Sequence, residues 1–86
     1  MPEISRFFGI VIRMYFDDHL PPHFHAEYGE YKAVVEIQSL IIIDGHFPPR
    51  ALGLVVEWAT LHRDELLEVW DRAVKLQPLP NIPPLT

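Results

Sequence analysis

The segment "HFHAEYGEYKAVVEI", residues 23–37, limits the fold more than any other feature of the chain. Gly29-Glu30 separates two runs rich in β-branched and aromatic residues. A two-residue hairpin turn needs positive φ at a central position, and glycine at the first central position suits type II′. That turn pairs Tyr28 with Tyr31, Ala26 with Ala33 and Phe24 with Val35. With Ile37, these residues share one face, so this face is predicted to meet the core. His23, His25 and Glu27 take the other face, opposite Glu36, Val34 and Lys32.

The preceding chain also reads as strands. Ile10 to Phe16 is β-branched and aromatic, with Ile10, Ile12, Met14 and Phe16 on one side. Gly9 predicts a bulge or turn that re-aims the shorter segment Ile4 to Phe8. Asp17 to Pro22 reads as a loop stiffened by Pro21 and Pro22. A short strand from Leu40 to Ile43 ends at the Asp44-Gly45 turn signal.

The second half has helical spacing. Pro48 and Pro49 stand where a helix can begin, and no proline follows between Arg50 and Lys75. Leu52, Val55, Ala59, His62, Leu66, Trp70 and Ala73 form one stripe at three- and four-residue steps. Trp70 and a hydrogen-bonded His62 are therefore expected in the core. Leu54, Trp58 and Leu61 lie off that stripe. One helix on a small sheet cannot bury two sides, so either the N-terminal strands wrap it or a second subunit covers it. These three residues are predicted to form a partner interface, with a homodimer as one form of it. A break near "LHRDE" is the alternative. The tail "QPLPNIPPLT" reads as an extended strap on apolar surface. The expected fold class is α+β: a small antiparallel sheet of about four strands packed on one long C-terminal helix. Strands fall within residues 4–43, the helix within about 49–76 and the strap within 77–86, all in a single domain.

Charge and composition narrow the function. Twelve Asp and Glu outnumber seven Lys and Arg, giving a formal charge of −5. Broad binding to nucleic acid needs a basic footprint, which no run of residues supplies, so nucleic acid is disfavoured as a partner. The absence of cysteine excludes disulfides and thiolate metal sites and fits a cytoplasmic location. Glu3, Arg6 and Arg13 interrupt any secretory leader pattern, and the longest apolar run is far too short for a membrane span.

Chemistry concentrates in "DDHLPPHFHAEY". His23 and His25, two apart on a strand, point the same way with roots about 6.5 Å apart, a spacing from which two imidazoles can converge on one ion. His19 in the preceding loop is a third candidate ligand, and Asp18 or Glu36 a carboxylate alternative. Three ligands plus water is a catalytic zinc arrangement, and imidazole also suits nickel, so a divalent metal is the expected cofactor class. Two histidines near Arg13 and Lys32 are also the ingredients of metal-free acid–base cleavage of RNA, which the acidic charge balance disfavours. The bland alternative is a polar strand face with a rigid loop beside it. The His-x-His spacing of "HFHAEYGE" matches a cupin metal motif through His23, His25 and Glu30, but the chain has too few strands for that barrel. His46, beside the Asp44-Gly45 turn, is expected to be solvated.

The blocks "ISRFFGIVIRMYFDDHLPPHFHAEYGEYKAVVEI", "FPPRAL", "EWATLHRDELLEVW" and "PLPNIPPL" resemble the small prokaryotic Domain of Unknown Function 4160 family nearly end to end. The resemblance implies a compact stand-alone protein whose gene neighbours another small gene, as in toxin–antitoxin-like modules. It implies no established activity, and no catalytic residue is carried over. The turn that usually holds glycine in the family is here Ser39-Leu40. The function expected first is a partner-binding or regulatory component of such a two-gene module, with the adjacent gene's product as the protein partner. The alternative is a metal-dependent hydrolase or nuclease built on His19, His23 and His25. A DNA-binding regulator is the weakest reading, since neither helix-turn-helix spacing nor a basic face is visible.

Overall fold

The computed structural model describes residues 2–86. Five strands form one antiparallel sheet in the order β1 (Glu3–Phe7), β2 (Ile10–Arg13), β3 (His23–Tyr28), β4 (Tyr31–Glu36) and β5 (Ile42–Gly45). Two helices follow, α1 (Pro49–Leu61) and α2 (Arg63–Val74). Every strand pairs with the next in sequence, so local turns set the registers. Gly29 has φ +58°, and the β3–β4 register pairs Phe24 with Val35, Ala26 with Ala33 and Tyr28 with Tyr31, as the turn chemistry predicts.

The sheet has five strands rather than about four. Phe8 and Gly9, with φ +49° and +81°, form a tight turn that folds the short first segment back onto β2. The expected single long helix is two helices. At His62 the backbone leaves the helical region, with φ −123° and ψ 23°, and its N–H donates to the carbonyls of both Trp58 and Ala59. No glycine or proline marks the break. Tertiary contacts accompany it: Arg63 donates to the Ile37 carbonyl at 3.3 Å, and the half-buried His62 packs on Trp58 and hydrogen-bonds Glu65 rather than sitting in a continuous apolar stripe.

The core joins the sheet to both helices. Ile10, Ile12, Met14, Phe24, Val35 and Ile37 are fully buried with Val55, Trp58 and Leu66. Trp58 sits between Phe7 and Phe24, with ring centroids 5.3 and 5.9 Å away. Its burial overturns the expected partner interface at this residue. The structural reason is the C-terminal strap, which covers the second apolar side of α1. Trp58 Nε1 donates to the Pro83 carbonyl at 2.9 Å, Ile82 is buried, and the Ile82 N–H donates to the Ile4 carbonyl at 2.7 Å. Of the other two interface candidates, Leu54 is half-buried and Leu61 is 68% exposed. Tyr28 and Tyr31 were expected on the core face but are exposed, and Phe16 is exposed although Ile10, Ile12 and Met14, grouped with it by alternation, are buried. The two tyrosines flank the Gly29-Glu30 turn at the end of their hairpin, and Phe16 lies beyond the end of β2. Among the described residues, no helix is long and apolar enough to cross a membrane.

Candidate metal centre

Strand β3 and the loop before it build a cluster of Asp18, His23 and His25. His23 and His25 alternate with the core residues Phe24 and Ala26, so both rings leave β3 on the same side. The loop then doubles back. The Ile37 N–H donates to the Pro22 carbonyl at 3.0 Å, and the Asp17 N–H donates to the Ala73 carbonyl at 3.1 Å. These bonds tie both ends of the loop, to the chain after β4 and to α2, and they place Asp18 over the two histidines. The Leu20–Pro21 peptide bond is cis.

One carboxylate oxygen is the hub. Asp18 Oδ2 lies 2.9 Å from His23 Nε2 and 3.4 Å from His25 Nε2. The other oxygen, Oδ1, accepts the His19 N–H at 2.9 Å. One nitrogen from each ring and one Asp18 oxygen lie within 4.8 Å of one another. His23 is held from its far side as well, with Nδ1 2.6 Å from the Pro21 carbonyl. A carbonyl only accepts, so Nδ1–H is the donor and Nε2 is the nitrogen turned to the cluster. A histidine that anchors one nitrogen on a backbone carbonyl has the orientation that metal sites use to aim the other.

Burial divides the three residues. His23 is only 2% exposed and packs against Trp70, ring centroids 5.1 Å apart. The expectation that His23 points away from the core is therefore wrong in its consequence: strand alternation holds, but Trp70 and the proline loop roof this end of the second face. His25 is half-buried, with Tyr15 edge-on at 4.4 Å. Burial lowers its pKa, an effect that the Asp18 hydrogen bond only partly opposes. The Asp18 carboxyl is pushed up by burial, but its bonds from the His19 N–H, His23 and His25 outweigh this and hold it below the ordinary value. The arrangement therefore combines an ionised carboxylate with an imidazole biased to its neutral, ligating form.

Two sequence-based ligand candidates are not brought in. His19 is at the rim: its side chain is 86% exposed, its Nδ1 lies 3.2 Å from the Leu20 carbonyl, and its Nε2 stands 3.8 Å from Asp18 Oδ1. Glu36 is the cross-strand partner of His23 but lies outside the metal-capable group found among the described residues. Sequence reasoning missed Tyr15 and Trp70 as neighbours of the histidines. Tyr15 sits two residues past Arg13, the cross-strand partner of His25, so its place near the cluster was readable in principle. Trp70 was not, because only the packing of α2 brings it there.

Beside His25 the open sheet face holds a shallow depression of about 240 Å³, lined in part by Tyr15, Glu27, Lys32, Val34 and Asp44. Glu27 is paired with Arg13 at 3.2 Å. His25 thus borders both the cluster and an opening to solvent.

The model of the family described as "Domain of unknown function (DUF4160)" matches residues 9–71 of the 86-residue chain. No curated protein and no solved structure matches the chain. The matched span runs from the first hairpin turn into α2 and contains the whole of the Asp18, His23 and His25 cluster. The chain belongs to the DUF4160 family.

Proposed function

We propose that this protein binds a divalent metal ion through Asp18, His23 and His25. The observation that carries the reading is the gathering of three ligand atoms within 4.8 Å of one another, with the His23 ring oriented by the Pro21 carbonyl. In a tetrahedral zinc site with bonds near 2.0 Å, ligand atoms stand about 3.3 Å apart. The separations of 2.9 and 3.4 Å from Asp18 Oδ2 bracket that value. Two imidazoles and one carboxylate suit zinc, nickel or iron, and they leave coordination positions open. Once bound, such an ion supplies Lewis-acid chemistry or an activated water. The depression beside His25 supports a hydrolytic role over a closed structural site, since a substrate held there would lie next to one of the three ligands.

The test is calorimetric titration of tag-free protein with zinc and with nickel at neutral pH, repeated on His25→Ala. Saturable binding that the variant loses supports the reading. Absence of binding, or equal binding by a folded His25→Ala variant, removes it.

A further inference from the structure

The first hairpin turn carries an anomaly. Phe8 has φ +49°, a region that glycine and asparagine adopt readily and bulky residues rarely do. The residue is nevertheless 61% exposed. A strained backbone that presents an aromatic side chain to solvent serves neither the turn nor the core, and such positions gather at binding sites.

Phe8 forms one wall of an apolar groove. The groove has a volume of about 380 Å³ and is lined by Phe8, Ile10, Tyr28, Pro48, Arg50, Ala51 and Leu54. Ile10 and Ala51 are buried at its base, while Tyr28 packs near both Gly9 and Phe47. Arg50 is its only charged lining residue. Most basic side chains of this chain are already engaged. Arg6, Arg13, Arg72 and Lys75 pair with carboxylates, and Arg63 bonds the Ile37 carbonyl. Arg50 has no such partner among the described residues.

An unspent guanidinium at the rim of an apolar groove is complementary to a carboxylate next to an apolar side chain. Arginine also binds carboxylates in a two-pronged geometry that lysine cannot reproduce. We infer that this groove docks a protein segment that places an aliphatic or aromatic side chain between Phe8 and Leu54 and an Asp or Glu side chain on Arg50. Aromatic and arginine side chains, here Tyr28 and Arg50, are the types enriched among residues that anchor interfaces.

The experiment uses the full ¹⁵N-labelled chain and the capped tripeptide acetyl-Leu-Leu-Glu-amide, with acetyl-Leu-Leu-Gln-amide as the uncharged control. Saturable amide shifts are expected at residues 8–10, 28 and 50–54. The glutamine peptide should bind about fivefold to tenfold more weakly, and Arg50→Gln should erase that difference. Phe8→Gly should raise the melting temperature by relieving the turn, yet weaken the peptide at least about fivefold. That opposite movement separates a binding role from a structural one. Equal affinity for the two peptides, shifts that map elsewhere, or no saturation with either peptide would overturn the inference. So would a concentration-dependent dimer in sedimentation that Phe8→Gly abolishes, because it would assign the groove to a second copy of this chain.

Discussion

Asp18 Oδ2 lies 2.9 Å from His23 Nε2, and that contact welds the proline loop to β3. It joins a half-buried carboxylate to a buried imidazole that is itself fastened to the Pro21 carbonyl. The same atoms that offer a metal site therefore also close the loop, and substitutions here have separable effects on binding and on stability.

Asp18→Asn removes the charge and keeps the shape. Metal affinity should fall at least about tenfold, as expected for loss of an anionic ligand. The pH dependence follows from linkage. The Asp18 pKa is depressed in the fold, so its contribution to stability is present above the ordinary carboxylate range and is lost as pH falls through the lower folded value. Chemical denaturation from pH 7 to pH 3 should show the variant less stable at neutral pH and the gap closing below about pH 4. A gap that stays constant with pH would contradict this.

The two strand histidines should respond differently to truncation. His23→Ala leaves a cavity against Trp70 and an unpaired Pro21 carbonyl, at a cost of about 2–4 kcal/mol. His25→Ala removes a half-buried ring and should cost about 1 kcal/mol or less. His25→Ala is therefore the variant that reports on metal binding with the fold intact, and urea unfolding of both checks the order.

Metal binding should weaken in acid. Protons compete with the ion for imidazole, whose ordinary pKa is about 6.5. Burial depresses the His25 value, so that site remains neutral somewhat below this point. Zinc titrations should show affinity nearly flat from pH 8 to pH 7 and falling steeply below about pH 6. Affinity that rises on acidification would be incompatible with imidazole ligands.

The strap is an integral part of the core. Ile82→Ala should cost about 2–4 kcal/mol. Trp58→Phe should lose the bond to the Pro83 carbonyl and leave unfilled volume beside Phe7 and Phe24. In that variant hydrogen exchange at the Ile82 amide, which donates to Ile4, should speed up before the sheet amides do.

Two glycines should respond with opposite signs. Gly45 has φ +86°, and a Cβ there would stand 2.2 Å from the Lys32 carbonyl oxygen. Backbone cannot retreat as a side chain can, so Gly45→Ala should lose about 2 kcal/mol or more and disturb the β4–β5 pairing. Gly53 lies inside α1 with nothing within 4 Å of its Cβ position. Gly53→Ala should gain about 0.5–1 kcal/mol. Thermal melts of the pair decide both signs.

Sequence alone determined whatever depends on near neighbours. The Gly29-Glu30 turn set the β3–β4 register, and strand alternation put Phe24, Ala26, Ala33 and Val35 on the core face with His23 and His25 opposite. The stripe through Val55, Ala59, Leu66, Trp70 and Ala73 marked the buried sides of both helices. Turn geometry, period two and period 3.6 act over a few residues, so they are written in the local sequence. Contacts between distant segments are not. Pro83 lies 25 residues from Trp58, and its carbonyl turned an apparent interface tryptophan into the centre of the core. Arg63 reaches Ile37 across 26 residues beside the helix break at His62. Trp70 buries His23, although no spacing links the two. Only tertiary packing decided these, because burial of an apolar or imidazole ring depends on which remote surface arrives to exclude water from it.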